Sequence, residues 1–455
     1  MKKTIQSTNP YTGEKYRRFE LLTREELDEK IEVAHSAFLQ WKNTSFDERK
    51  ELFHKLADVI EEDLEEYAQL QTQEMWMLYS SSKNWLKGTA HLIRWFADNA
   101  EKVLWEKEYE IEGTHGVYTY DSLGVIYGVW PWNFPYNQVL RAAVPNILAG
   151  NTTVYKHASN VPLCAEQIEK FFRKAGFPEG IYTNLFISSS DSEHIISNTY
   201  IRGVNLTGWE WAWTALGSLA GKYLKPSVLE LWGNDPLLIL DHSDTQKMVA
   251  ETQACRFNDV GQRCNSSKRF IVLDTYYDEF VEWMKRFVEA LTVWNPMDIT
   301  TNVQPLVDAD AVKTVDFQVQ NSINSWAKLV IWWKTLWDHN TFYAPTILAD
   351  VKKWMECYDT EIFWPVMSII KSSSVEESIK IANDSEYGLS AVVFWDDVNQ
   401  CRDVAKQLEW GMIFINQVAG SKAHLPFGWV KKSGYWKENG EEGLKSFTNK
   451  KVILY

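Results

Sequence analysis

The sequence predicts an α/β protein built on parallel sheets, because short apolar runs alternate with helical segments along most of the chain. In a first series, strands are predicted at 125–129, 152–155, 181–187, 204–207 and 228–231. The helices between these strands are predicted at 162–176, 190–198 and 208–222. Strands joined by helices in this way form a parallel sheet with helices on its faces.

A second alternating series begins after about residue 233. Its strands are predicted at 237–240, 270–273 and 412–415, and its helices at 245–257, 276–291, 375–383 and 398–408. A chain of 455 residues is longer than one hydrophobic core usually supports. We therefore expect two α/β domains, each with its own sheet.

The chain begins with helices and carries two candidate β-extensions. Residues 24–74 have helical spacing and two capping boxes, Thr23–Glu26 and Ser45–Glu48. A further helical stretch runs to about residue 103. Residues 107–122 alternate as a β-hairpin, and the tail 447–455 reads as a strand. These two extensions can pair with each other or with another subunit.

Composition excludes several classes of partner. The net charge of −14 and pI near 5.3 argue against nucleic acid and anionic membranes, because both bind basic surfaces. We find no apolar run of membrane-spanning length and no signal peptide at the N-terminus. The five cysteines lack disulfide or zinc spacing. We expect a cytoplasmic protein without a metal site.

A candidate nucleophile lies in the segment 258–269, Asn-Asp-Val-Gly-Gln-Arg-Cys-Asn-Ser-Ser-Lys-Arg. Gly261 lets the backbone approach a ligand closely. A thiolate at Cys264 would be a strong nucleophile, and Arg263 or Lys268 would lower its pKa. By itself the segment is more typical of a cysteine that fills a small apolar space.

Three further segments offer groups that complement a thiol. Pro131-Trp-Asn-Phe-Pro135 follows a predicted strand, and its prolines fix the loop that carries Asn133. Leu229-Glu-Leu231 places a carboxylate at the end of another strand. Glu361-Ile-Phe363 precedes Pro365 in a loop. Each alone also reads as a capping Asn, a surface Glu or a loop Phe.

Together these segments resemble the aldehyde dehydrogenase superfamily over nearly the whole chain. The resemblance rests on the order and spacing of 131–135, 156–159, 206–208, 229–231, 261–264, 361–365, 425–428 and 433–435. The segment 141–151 with Lys156-His-Ala is most similar to succinate-semialdehyde dehydrogenases that use NAD(P).

The resemblance implies three regions. Residues 1–106 and 124–231 form a Rossmann-type cofactor domain, and residues 232–433 form the catalytic α/β domain. Residues 107–123 and 434–455 form a β-extension for assembly into a homodimer or homotetramer.

The resemblance also implies a mechanism in which Cys264 attacks the aldehyde carbon and becomes a thiohemiacetal. The side chain of Asn133 and the backbone N–H of Cys264 stabilise the oxyanion. Hydride passes to the nicotinamide and leaves a thioester. Glu230 then activates water to release the acid.

The implied cofactor is NAD or NADP. Glu361 and Phe363 would hold the nicotinamide ribose and ring, and Lys156 the adenosine ribose. The other implied cofactor-binding residues are Trp132, Ser159, Gly208, Trp209 and Trp213. Relatives that prefer NAD usually carry Glu where this chain has Ser159. Without that carboxylate a 2′-phosphate is not repelled, and Lys156 or His157 would pair with it.

Arg141 is the implied substrate residue. It lies eight positions after Asn133, where succinate-semialdehyde enzymes place an arginine that binds the substrate carboxylate. A structural ion pair is the equally ordinary alternative.

The chain departs from the family at eleven glycine positions, where it carries tryptophan. They are 76, 213, 232, 294, 326, 332, 333, 354, 364, 429 and 436. Trp209 and Trp211 are further candidates, whereas Trp41 and Trp132 match family tryptophans. The chain has 23 Trp and only 22 Gly, and restoring the eleven would bring Gly to its usual share of about 7%.

We infer that these codons are UGA, which some bacteria read as glycine and other codes read as tryptophan. UGG codons at these positions would contradict this hypothesis. The predicted function is oxidation of an aldehyde, with succinate semialdehyde as first-choice substrate. The alternatives are a broad-specificity aldehyde dehydrogenase and, if the tryptophans are real, a catalytically inactive relative with a structural or binding role.

Overall fold

The computed structural model describes residues 2–208, 210–331 and 341–455, without the side chains of Ile111 and of residues 210–213. Its mixed α/β architecture with parallel sheets confirms the predicted fold class. The predictions for Trp209, Trp332 and Trp333, and for the side chains of Trp211 and Trp213, lie outside the described residues.

The N-terminal region is a small hairpin followed by helices. Strands β1 and β2 pair antiparallel, and the capping boxes at Thr23 and Ser45 both form, as predicted. The elements are β1 Thr4–Thr8, β2 Lys15–Glu20, α1 Arg24–Trp41, α2 Phe46–Glu62, α3 Leu64–Met75 and α4 Tyr79–Leu104. The predicted hairpin follows as β3 Lys107–Ile111 and β4 Thr114–Ser122.

The first parallel sheet has the strand order β9-β8-β5-β6-β7. Its elements are β5 Val125–Val129, α5 Asn137–Leu148, β6 Thr152–Lys156, α6 Pro162–Lys174, β7 Tyr182–Asn184, α7 Ser192–Ser197, β8 Ile201–Thr207, α8 Glu210–Lys222 and β9 Ser227–Glu230. Chain order reverses between β5 and β8. Such a switch point opens a crevice at the carboxyl ends of the strands, where ligands bind.

The second sheet has the order β12-β13-β14-β11-β10-β15-β16 and is parallel except for the β12–β13 pair. Its region contains β10 Pro236–Ile239, α9 Thr245–Phe257, β11 Arg269–Leu273, α10 Asp274–Glu289, α11 Ala309–Asn324, β12 Lys328–Ile331, β13 Thr346–Ala349, α12 Glu356–Asp359, β14 Val366–Ser372, α13 Val375–Asn383, β15 Ser390–Phe394, α14 Val398–Ala405 and β16 Met412–Ile415. The helices α5, α11 and α12 and the strands β12 to β15 were not predicted from the sequence.

The C-terminal segment contributes strands to three sheets. Its elements are β17 Phe427–Gly428, β18 Gly434–Tyr435, β19 Lys437–Glu438, α15 Gly440–Lys445 and β20 Thr448–Leu454. Strand β20 pairs with β4 to complete a three-stranded sheet with β3, so the two predicted extensions do pair with each other. Residues 434–438, assigned above to the extension, instead pair with β9 and β17. In the described part of the chain no helix is long and apolar enough to cross a membrane.

Among the described residues, four of the tryptophans at positions where glycine is expected have left-handed backbone. Their φ angles are 66° at Trp76, 76° at Trp326, 69° at Trp354 and 71° at Trp436. An L-residue pays roughly 1–2 kcal/mol in this region, whereas glycine adopts it freely. The indole N–H of Trp76 is buried without a hydrogen-bond partner among the described residues. The backbone at these positions therefore favours glycine, independently of the codon argument.

We predict that Trp326→Gly stabilises the protein by about 1 kcal/mol, because relief of the left-handed strain exceeds the entropy cost of glycine. Trp326 is 88% exposed, so little burial is lost. The matched control is Trp326→Ala, which removes the ring but keeps the strain. Urea unfolding of the three proteins decides the matter, and equal stability of the Gly and Ala variants would contradict the prediction.

Candidate active site

One cavity gathers six of the predicted site residues. Its wall includes Trp132, Asn133, Gly208, Cys264, Glu361 and Phe363. The cavity begins at the carboxyl ends of β5 and β8, where the order of the first sheet reverses, and it reaches Cys264 in the segment 258–269. Residues from distant parts of the sequence thus meet at one crevice.

The nucleophile segment turns sharply before it presents Cys264. Asp259, Val260 and Gly261 have φ angles of 53°, 47° and 73° in succession. A Cβ at Gly261 would lie 3.0 Å from the carbonyl oxygen of Trp364, so glycine is required there for both conformation and space. Cys264 is partly exposed, whereas the other four cysteines are buried. The turn therefore makes Cys264 the accessible thiol of the chain's five.

The environment of Cys264 holds the thiol protonated. Burial and the negative charge of Glu230, which accepts a hydrogen bond from the thiol, raise the pKa of Cys264 well above its usual value. The cations Arg141 and Lys268 act in the opposite direction. Of the two predicted cationic neighbours, Lys268 thus acts on the thiol. The guanidinium of Arg263 donates instead to the carbonyl of Ala419 at 2.8 Å.

Glu230 belongs to a buried cluster of three charged side chains. Its Oε2 accepts from Arg141 Nη2 at 2.6 Å, and Arg141 Nε donates to Glu438 Oε2, also at 2.6 Å. All three side chains are at most 5% exposed. Burial, assisted by the charge of Glu230, raises the pKa of Glu438 despite its pairing with Arg141.

Glu438 was not among the site residues predicted from the sequence. The one feature that could have suggested it is its position three residues after Tyr435 of the 433–435 motif. It lies 297 positions from Arg141 in sequence, and no local pattern predicts such a pairing.

Glu230 Oε1 has no hydrogen-bond partner among the described side chains, which leaves one carboxylate oxygen able to accept from water.

Asn133 is oriented by the nucleophile segment. Its side-chain Nδ2 donates to the carbonyl oxygen of Gln262 at 3.1 Å, two residues before Cys264. The amide is 4% exposed and lines the same cavity as the thiol. An amide N–H held in this position can donate to an oxygen that develops charge beside Cys264.

The residues expected to hold the adenosine end of the cofactor differ in their burial and in their hydrogen-bond partners. Lys156 ends β6, and burial lowers its pKa. His157 is also buried, with its pKa lowered to about 3 by burial, and its Nε2 pairs with Tyr182 Oη at 2.9 Å. His157 is therefore neutral and engaged, which leaves Lys156 as the candidate partner of a 2′-phosphate. Ser159 is exposed just beyond them.

The other side of the cavity carries Glu361 and Phe363. Glu361 Oε1 lies 2.8 Å from Lys268 Nζ, and both side chains are at most 4% exposed. Phe363 packs edge-to-face on Trp132, with ring centroids 6.2 Å apart. An acceptor carboxylate and an aromatic edge fit the ribose and ring of a dinucleotide, and Gly208 at the carboxyl end of β8 leaves space beside them. Trp232 also lines this cavity, which narrows it.

Comparison with known proteins agrees with this arrangement. The model of the aldehyde dehydrogenase family matches residues 1–453. An NADP-dependent succinate-semialdehyde dehydrogenase of Deinococcus radiodurans is 35% identical over 98% of this chain and 94% of its own length. One from Mycobacterium ulcerans is 36% identical over 99% of both chains.

A solved structure has the same fold. The succinic semialdehyde dehydrogenase of Streptococcus pyogenes, in complex with NADP+, superposes with a TM-score of 0.97 at 37% identity and covers 99% of both chains. The resemblance drawn from the motifs is confirmed, as is an NAD(P)-dependent oxidation of an aldehyde. The chain therefore belongs to the aldehyde dehydrogenase family.

Proposed function

We propose that this protein oxidises succinate semialdehyde to succinate and that its cofactor is NADP. The observation that carries the proposal is the single cavity in which the Cys264 thiol meets Asn133, Glu361 and Phe363. The substrate and the choice of NADP are supported by the relatives, each named for this reaction with NADP.

Cys264, Asn133 and Glu230 have separate roles in the proposed reaction. Cys264 loses its proton and attacks the aldehyde carbon, giving a thiohemiacetal. The amide of Asn133 and the N–H of Cys264 donate to the resulting oxyanion. Bound NAD(P) supplies the acceptor for the hydride. Glu230 then takes a proton from the water that hydrolyses the thioester on Cys264.

We predict that Cys264→Ala and Glu230→Gln fail at different steps. Cys264→Ala loses oxidation altogether, because no thiohemiacetal forms. Glu230→Gln lowers kcat by about 10²–10⁴-fold, the usual contribution of a general base, yet it still releases a burst of reduced cofactor equal to the enzyme concentration. Stopped-flow absorbance of reduced cofactor distinguishes the two. A burst from Cys264→Ala would refute the assignment of the nucleophile.

Substitution of Arg141 tests whether this residue binds the substrate carboxylate or acts through its ion pair with Glu230. Two carboxylates already occupy its Nε and Nη2, so we expect its pairing with Glu230 to matter for every aldehyde. Arg141→Met should lower kcat/KM about 100-fold for both succinate semialdehyde and butanal, because the base loses its partner. Arg141→Lys, which keeps the charge, serves as the control. A loss confined to succinate semialdehyde would instead establish Arg141 as the ligand of the substrate carboxylate.

Ser159 tests the cofactor preference. Ser159→Glu places a negative charge where the 2′-phosphate of NADP is expected. The variant should raise KM for NADP at least about tenfold relative to KM for NAD, since like charges repel. Ser159→Gln has the same size without the charge and should leave the ratio unchanged. Equal effects of Glu and Gln would contradict the placement of the phosphate at Ser159.

We also propose a homodimer or homotetramer assembled through the three-stranded sheet. Strand β20 is an edge strand of this sheet, and most of its residues are exposed. Val452, Leu454 and the following Tyr455 are each more than 60% exposed. An exposed apolar strand favours pairing with another chain. Light scattering that finds only the mass of a monomer would contradict it.

We also propose that the protein is located in the cytoplasm. The mechanism needs a free thiol at Cys264, and all five cysteines are free. Reducing compartments keep thiols in this state. Fractionation of the source cells tests the location.

The inactive relative remains the second candidate, because Trp232 lines the cavity beside Cys264. A bulky indole there competes with the substrate or the nicotinamide for space. Turnover by the chain with tryptophan at position 232 would exclude this alternative.

A further inference from the structure

We propose that Lys268 is a positioning residue that holds the peptide of Cys264 and the carboxylate of Glu361 with one buried ammonium. Its Nζ lies 2.8 Å from Glu361 Oε1 and donates to the carbonyl oxygen of Cys264 at 2.5 Å. A third contact reaches the carbonyl of Arg263 at 3.5 Å. The ammonium thus donates to the segment that carries Cys264 and forms an ion pair with Glu361, so it contacts both halves of the site.

The backbone of Lys268 is fixed as firmly as its head group. Its N–H donates to the carbonyl of Asp235 at 2.8 Å, and its own carbonyl accepts from Ser368 N at 3.2 Å, next to β11 and β14 of the second sheet. The side chain is 2% exposed. Water cannot solvate an ammonium that is buried in this way, so the charge of Lys268 is stabilised only by its protein partners.

The loop of Glu361 depends on a second buried cation as well. Arg256 Nη2 donates to the carbonyl of Ile362 at 2.7 Å and to that of Trp364. Gln318 Nε2 donates to the carbonyl of Glu361 at 3.0 Å. These contacts hold the loop's backbone, whereas Lys268, together with the backbone N–H of Gly233, holds the carboxylate itself. Loss of Lys268 should therefore loosen the carboxylate without releasing the loop.

Other charged groups face the thiol and Lys268, and each has a defined sign. Glu230 opposes ionisation of Cys264, while Arg141 and Lys268 favour it. Asp235 and Glu361 face Lys268, and burial raises the pKa of both despite its charge. Removal of Lys268 thus makes the thiol harder to ionise, whereas neutralising Glu361 leaves more of the ammonium's charge to act on it.

The proposal rests on the proposed function only in taking Glu361 as a cofactor ligand, and alkylation of Cys264 tests the positioning role without turnover. The probe is iodoacetamide, and the readout is mass spectrometry of the peptide that contains Cys264 over a range of pH. The other four cysteines are buried, so alkylation at Cys264 is resolved from theirs.

We predict that Lys268→Met moves the alkylation midpoint up by about one pH unit, so that the rate at pH 7 falls about tenfold. Lys268→Arg keeps the charge and should restore most of the rate. Glu361→Gln should move the midpoint down. The matched control is Arg263→Met, which removes a neighbouring buried cation that points to Ala419 and should leave the midpoint in place.

A cofactor measurement completes the test. Lys268→Met and Glu361→Gln should each raise KM for NADP about tenfold, and the double variant should raise it no further, because Lys268 acts on the cofactor through Glu361. Unchanged midpoints in Lys268→Met and Glu361→Gln, or KM effects that multiply, would overturn the proposal. If Lys268→Met does not fold, Glu361→Gln gives the deciding midpoint. Shifted midpoints in a protein that oxidises no aldehyde would support the positioning role and refute the proposed function.

Discussion

The ion pairs of buried Arg141 with Glu230 and Glu438 constrain the rest of the structure. They join α5, the end of β9 and the C-terminal β19, which are separated by 89 and 297 positions in sequence. Removal of one partner from such a pair typically costs about 3–5 kcal/mol, because an unpaired charge remains in the interior. The C-terminal segment must therefore fold back on the first sheet before the Glu230 carboxylate has its ion-pair partners.

Two buried cations act on the thiol of Cys264 from different sheets. Arg141 lies on α5 beside the first sheet, and Lys268 directly precedes β11 of the second sheet. Both favour the thiolate of Cys264, against burial and the charge of Glu230. The ionisation of one sulfur thus depends on elements packed against both sheets.

The tryptophans at glycine positions are a second constraint, imposed by the backbone. At Trp76, Trp326, Trp354 and Trp436 the chain keeps the left-handed conformation that glycine adopts without cost. The surrounding sheets and helices determine the path of the chain at these turns, so the conformation persists whichever residue occupies it. The fold therefore reports the residue type that its backbone favours.

The sequence by itself determined the five strands of the first sheet, the helices α6 to α8, both capping boxes, the family and six residues of the cavity. These follow from local spacing, since periodicity, turn residues and motifs are properties of short segments. It did not predict α5 or the strands β12 to β15, and it assigned 434–438 to the extension. Only the tertiary structure decided the partners of buried charges. Glu438 on Arg141 and Glu361 on Lys268 are brought together by packing across long sequence separations, and local patterns carry no record of that contact.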